Sequence, residues 1–189
     1  IALRDLSIRY PDADGPPFAN FSMPIRPGER IALSGKNGCG KSSLIRLILG
    51  DDIPHTGEVW TPSGLRISYI SQDTSRLGGT LDEYASEHDL DNAVFRTVLR
   101  KLGLERSQFD KQIQDYSEGQ KKKVLLAGSL CEPAHLFLWD EPLNFIDVFS
   151  RIQIEELLLS ARPSMIFVEH DRAFREKVAS GIVSLGREL

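Results

Sequence analysis

Eight residues, Gly35-Lys36-Asn37-Gly38-Cys39-Gly40-Lys41-Ser42, constrain this chain more than any other stretch. They fit the spacing G-x-x-x-x-G-K-[ST], and their surroundings match what that spacing requires. Ile31-Ala32-Leu33 before them reads as a strand, and Leu44, Ile45, Ile48 and Leu49 after them fall at helical spacing. Glycines let the backbone wrap until its N–H groups converge on phosphate oxygens, and the following helix turns its positive end toward the same anion. Asn37, Gly38, Cys39, Gly40, Lys41, Ser42 and Ser43 are therefore candidate phosphate contacts. Lys41 would reach the outer phosphates and the Ser42 hydroxyl would ligate Mg²⁺. A glycine-rich turn with no ligand is the plainer alternative. Every fixed position and the flanking pattern weigh against it.

The rest of the chain supplies a frame for such a loop. Strand patterns lie at Ile1–Tyr10, Phe21–Ile25, Gly57–Trp60, Arg66–Ile70, Leu136–Trp139, Met165–Val168 and Ile182–Leu185, with Pro11–Pro17 a turn cluster. From Thr80 to Gln114 the pattern is helical throughout, with Leu81, Tyr84, Ala85, Val94, Val98, Leu99 and Leu102 as its apolar positions. Helical patterns return at Val124–Leu130 and around Ile152, Leu157 and Leu158. Strands alternating with helices on either side of a helical stretch predict one α/β core with a parallel sheet covered on both faces.

Composition narrows the class. The 189 residues are 41% hydrophobic and 26% charged, which suits one folded domain and excludes fibrous or disordered readings. A net charge of −4 argues against a surface that grips nucleic acid all over, though not against a local basic patch. No apolar run approaches a membrane-spanning length, so we expect no direct membrane insertion. Two cysteines, Cys39 and Cys131, fit a reducing compartment better than a disulfide framework. Beginning at Ile1 with no leader, the sequence reads as a fragment of a longer chain.

Three further features bear on chemistry. His135 to Trp139 is an apolar run ending in Asp140-Glu141, which puts two carboxylates at the ligand-binding end of a buried parallel strand. Beside a phosphate loop, Asp140 is a candidate Mg²⁺ holder and Glu141 a candidate base for a water attacking the outer phosphate. Ser117 and Gln120 have capping-box spacing, so Ser117-Glu118-Gly119-Gln120 is either a well-capped helix start or a bare anion site around Gly119. Residue physics leaves those two readings even. Lys121-Lys122-Lys123 is read as a solvated face in preference to a basic contact patch.

In this order the pieces resemble the nucleotide-binding domain of ABC-type ATPases over nearly the whole chain. Lys41 and Ser42 match the Walker A motif, and Asp140 with Glu141 the Walker B motif and its catalytic glutamate. Gln72 resembles the Q-loop glutamine, Tyr116-Ser117-Glu118-Gly119-Gln120 the signature motif, and His170 the switch histidine. Tyr10 stands where the family stacks an aromatic ring on adenine. The resemblance implies a P-loop (RecA-like) α/β core with an antiparallel β portion and an inserted helical subdomain at about residues 73–116. It implies Mg-ATP hydrolysis, with Ser42, Gln72 and Asp140 at the metal, Glu141 on the water, and His170 and Gln72 sensing the γ-phosphate. It also implies that Ser117, Gly119 and Gln120 contact a nucleotide held by a second ABC domain.

Asn144-Phe145-Ile146-Asp147 resembles the ABC-F branch, which has no membrane domain and works on ribosomes in the cytoplasm. Trp139-Asp140-Glu141-Pro142-Leu143-Asn144, together with Tyr116–Lys123, looks most like the Lsa, Vga and Msr type of ribosome-protection proteins, which give antibiotic resistance, and most like their C-terminal domain. Three departures stand out: Cys39 in place of the usual Ser, Glu118 where many members carry Gly, and Leu143 with Phe145 in unusual wording. Glu118 is expected to turn its charge away from the nucleotide. An ATP-binding subunit of a membrane transporter is the alternative. A decayed ATPase that only binds is a third reading, and intact Lys41, Asp140 and Glu141 weigh against it.

Overall fold

The computed structural model describes residues 1–8 and 18–185, so Tyr10 and the Pro11–Pro17 cluster lie outside the described residues. The strands are β1 (Ala2–Ile8), β2 (Phe21–Pro24), β3 (Arg30–Ser34), β4 (His55–Trp60), β5 (Ile67–Ile70), β6 (Leu136–Asp140), β7 (Met165–Val168) and β8 (Gly181–Ser184). The helices are α1 (Lys41–Leu49), α2 (Leu81–Glu87), α3 (Asn92–Lys101), α4 (Glu118–Cys131), α5 (Val148–Ala161) and α6 (Arg172–Val178). Two short 3₁₀ turns, Arg106–Gln108 and Ile113–Asp115, fill the chain between α3 and α4.

A five-stranded sheet in the order β5-β6-β7-β3-β8 forms the core, and each pairing within it is parallel. Successive residues point to opposite faces of a strand, and that alternation divides the interior in two. Ala32, Trp139 and Phe167 turn toward α2, α3, α4, α5 and α6. Leu33, Leu138 and Ile166 turn toward α1 and the smaller sheet. Trp139 is fully buried, and its indole N–H donates to Ser129 Oγ at 2.9 Å, so the largest core side chain leaves no donor unpaired.

The smaller sheet has the order β2-β1-β4 and is antiparallel. Leu3, Leu6 and Ile8 are all buried, although strict alternation would put Leu3 and Leu6 on opposite faces. The register shifts between them on both sides of β1, and Asp5 sits at φ 47°. The bulge resets the pleat so that both leucines face inward. Opposite it, a Cβ on Gly57 would lie 2.5 Å from both the Arg4 and Asp5 carbonyl oxygens, so only glycine fits there.

The expected elements are present, with differences that have local causes. The apolar pattern of α4 runs from Val124, but the helix itself starts at Glu118, as the capping-box spacing of Ser117 and Gln120 indicates, and those two side chains close a full box around its first turn. Val94 and Ile152, part of the apolar pattern, are 51% and 42% exposed, and Phe95 and Ile154 fill the core instead. The solvated reading of the three lysines is overturned. Lys121 and Lys123 are largely covered and pair with Glu118 and Asp147, while Lys122 is buried. α4 packs against β5 and α3, Lys122 points into that packed side, and its two neighbours are held against the protein by their ion pairs.

Candidate functional site

Strand register assembles the site. Asp140 on β6 pairs with Val168 on β7, and Val168 pairs with Leu33 on β3. The residues that follow, Glu141, Glu169-His170 and Ser34-Gly35, therefore leave the sheet side by side at its carboxyl edge, where open α/β sheets bind ligands. Gln72 arrives from the neighbouring β5, whose Ile70 pairs with Trp139.

The phosphate loop runs from β3 into α1. Gly35, Gly38 and Gly40 adopt φ of 144°, 78° and 93°. A Cβ on Gly35 would lie 2.5 Å from the Leu185 carbonyl oxygen and 2.6 Å from Cys39 Sγ. Lys41 is 7% exposed, and its ammonium donates to the carbonyls of Gly35 at 2.9 Å and Lys36 at 3.0 Å, bracing the loop from within. An open cleft of about 420 Å³ lies over the loop, lined by Asn37, Gly38, Gly40, Lys41, Ser42, Ser43, Gln72 and Glu141. Cys39 is not among the lining residues; it packs partly against the core that includes α1.

Asp140 is 3% exposed beneath that cleft. Gln72 Nε2 donates to its Oδ1 at 3.3 Å, and the Ser42 side chain hydrogen-bonds to it. Burial pushes the Asp140 carboxyl above its ordinary value, and the bonds from Ser42 and Gln72 pull it partly back. A buried carboxylate whose hydrogen-bond partners are a hydroxyl and an amide suits a hard cation such as Mg²⁺. Among the described residues no cluster of three or more His, Cys, Asp or Glu offers a rival site.

Glu141 stands at φ 49°, in the left-handed region, which turns its side chain off the strand axis. His170 Nε2 lies 3.1 Å from its Oε1, and Asn144 Nδ2 donates to its Oε2 at 2.8 Å. Both carboxylate oxygens are thereby fixed from within the domain. The structure thus brings together Lys41, Ser42, Gln72, Asp140, Glu141 and His170. Ser117, Gly119 and Gln120 do not line the cleft. The close approach at Gly119 is to another loop, since a Cβ there would sit 2.6 Å from the Phe145 carbonyl oxygen. Glu118 engages the Thr74 hydroxyl and Lys121, bonds that hold its carboxyl below the usual range.

Sequence reasoning missed three residues that brace this arrangement. Glu169 is 5% exposed and accepts from the backbone N–H of Leu143 at 2.8 Å and of His170 at 3.1 Å, so one carboxylate ties the two loops together. Burial raises it above the ordinary carboxyl value, while backbone bonds from Leu143, Asp171 and His170 oppose the rise. Its signal was present: like Asp140, it is an acid closing a continuous apolar strand. Arg151 donates to the Ile146 and Leu143 carbonyls and to Asp171 Oδ2, fastening the same loops from below. Asn144 carried only its spacing.

The two thiols are expected to differ. Burial pushes the Cys131 thiol up to about 11, which cuts its thiolate fraction roughly 100-fold against an ordinary cysteine. Cys39 Sγ lies 4.0 Å from the Lys41 ammonium in the phosphate loop. Maleimide should modify Cys39 first, and ATP should slow that reaction. Faster labelling at Cys131, or no protection by ATP, would contradict this placement.

Comparison with known proteins agrees with the geometry. The family model described as ABC transporter matches residues 18–144. The ATP-binding protein Uup of Buchnera aphidicola is 32% identical over 168 residues, covering 85% of this chain and 28% of that protein. The ribosome protection protein VmlR of Bacillus subtilis is 32% identical over 169 residues, covering 86% of this chain and 30% of that protein. This chain thus spans less than a third of the length of these curated relatives. A solved ATP-binding subunit of an ABC transporter superposes with a TM-score of 0.81 at 23% identity, over 97% of this chain and 85% of that one, and supports the fold.

Proposed function

The chain belongs to the ABC transporter family as an ATP-binding domain, and from that premise we propose that it hydrolyses Mg-ATP as part of an ABC-F protein acting on the ribosome. The observation that carries the ATPase reading is convergence. Lys41, Ser42, Gln72, Asp140, Glu141 and His170 come from four separate strand ends, yet meet around one cleft. In this reading Lys41 and the loop N–H groups bind the phosphates, and Ser42, Asp140 and Gln72 hold Mg²⁺. Bound there, Mg²⁺ would neutralise charge developing on the transferred phosphate. Glu141 accepts the proton of the attacking water, and His170 and Asn144 keep its carboxylate aimed. Ser117, Gly119 and Gln120 lie apart from this cleft, which fits a role toward a nucleotide on a second ABC domain. The helical stretch at about residues 73–116 is then the inserted subdomain that precedes the signature helix in the chain.

The ribosome reading rests on the likeness to VmlR and on the Asn144–Asp147 spacing. Antibiotic resistance by ribosome protection, with action in the cytoplasm, is its finer form. A transporter subunit would share every residue named above and differ in partner. No helix among the described residues is long and apolar enough to cross a membrane.

Co-sedimentation tests the partner. The full-length protein that carries this chain should pellet with ribosomes several-fold more in a non-hydrolysable ATP analogue than in ADP. The difference should survive moderate salt, which screens non-specific contacts with RNA. Equal pelleting in both nucleotides, or recovery with a membrane protein instead, would replace the ribosome by a transporter partner and leave the ATPase reading standing.

A further inference from the structure

Lys122 is among the largest of the described side chains that are fully buried, in the company of Trp139, Phe95, Phe167 and Phe174. A lysine shut away at 1% exposure needs a reason, because an ammonium loses its hydration there and lysine is almost never buried without a partner. Its sequence neighbours have ion-pair partners, Glu118 for Lys121 and Asp147 for Lys123. The Lys122 ammonium instead donates to a backbone oxygen, the carbonyl of Ser71, at 2.8 Å.

That carbonyl belongs to the residue before Gln72, and Gln72 Nε2 donates to Asp140 Oδ1 at 3.3 Å. The contacts therefore run from the second turn of α4, through Ser71, to the floor of the cleft. A second tie reinforces the first, since the Thr74 hydroxyl donates to Glu118 at the start of α4. The segment 71–74 is pinned to one helix start at both ends. The same ammonium faces Asp140 at the end of β6, Glu141 just after it, Glu169 just after β7 and Glu118 from its own helix, which oppose the downward push that burial exerts on it. A space-filling role would be met as well by an apolar side chain of similar volume. The charge and the donor are the features that such a residue would lack.

We propose that Lys122 is a positioning residue for the Mg²⁺ end of the cleft. Through the Ser71 carbonyl it seats Gln72 against Asp140, and its charge gathers the carboxylates around that seat. The α4 start, which bears Ser117 and Gly119, thus moves together with Gln72. This rests on reading the cleft as an Mg-ATP site.

The test compares nucleotide affinity with and without the metal, using a fluorescent ATP analogue and the full-length protein that carries this chain. Lys122→Met keeps the volume and removes charge and donor. It should lower affinity in Mg²⁺ about tenfold or more, while affinity in EDTA stays within about twofold. Lys122→Arg, which keeps a cation and donors, should restore most of the ratio. An unchanged ratio of the two affinities in Lys122→Met, or an equal loss in both conditions, overturns the proposal and leaves Lys122 a packing residue. Were the Met variant unable to fold, Thr74→Val cuts the second tie and keeps the charge. A fall in the same ratio supports the coupling, and no change overturns it. A wild-type protein that binds the analogue equally with and without Mg²⁺ overturns the reading of the cleft, and this proposal with it.

Discussion

Glu141→Gln is expected to slow ATP hydrolysis by roughly 10²–10⁴-fold, the usual contribution of a placed general base. ATP affinity should remain within about twofold, because phosphate contacts come from Lys41, Ser42 and the loop backbone. The local geometry tolerates the change. Asn144 can go on donating, at its present 2.8 Å, to the amide oxygen that replaces Oε2. The new NH₂ then faces His170 Nε2, now 3.1 Å from Oε1, and that nitrogen can accept if the proton sits on the other ring nitrogen. Shape and loop positions survive; proton acceptance does not. The variant should bind ATP and hold it, so single-turnover assays should show a long-lived bound nucleotide. Hydrolysis at the wild-type rate would remove Glu141 from the role of base and direct attention to His170.

Much of this site is legible in the sequence, and the reason is local. The phosphate loop works through backbone N–H groups and glycine conformations, which a short contiguous motif encodes. Asp140 and Glu141 are legible because a buried parallel strand announces itself as an apolar run, and the edge where it ends is where ligands sit. Residues that act across the fold are not. Lys122 sits in the middle of three lysines that look alike in sequence, and only the packing of α4 against β5 distinguishes the buried one. Glu169 and Arg151 brace loops that are far apart in sequence and meet only through the β6–β7 pairing. The β1 bulge is hidden for a related reason: the pairing of Leu3 and Leu6 on one face depends on Gly57 of another strand. His170 draws notice through family resemblance alone, since a lone exposed histidine says nothing without Glu141 beside it.

Asp140→Asn should separate function from stability in opposite directions. Burial holds the Asp140 carboxyl above its ordinary value in the folded chain. For a group raised in this way, the folded state binds the proton more readily than the unfolded state does. Its contribution to stability is fully present below the unfolded carboxyl pKa and is lost as pH rises through the folded one. At neutral pH the ionised side chain is therefore a burden on the fold, and Glu169 adds to it in the same sense. Asparagine keeps an oxygen for Ser42 and Gln72 to bond but carries no charge to desolvate. Without nucleotide, the variant should melt above wild type, by about 2–4 °C for each ~1 kcal/mol recovered in a domain of this size. The gap should close as pH falls through the raised Asp140 range toward the ordinary carboxyl value, below which the wild-type carboxyl is neutral in the folded and unfolded chains alike. With Mg-ATP the order should reverse, because wild type gains binding stabilisation that the variant loses. Hydrolysis should fall at least about 100-fold, since the one carboxylate in the proposed metal set is gone. Thermal melts across pH, with and without Mg-ATP, check every part of this. A variant that melts below wild type at neutral pH without nucleotide would mean that the Asp140 charge is already compensated inside the fold, with Lys122 a cation placed to supply that compensation.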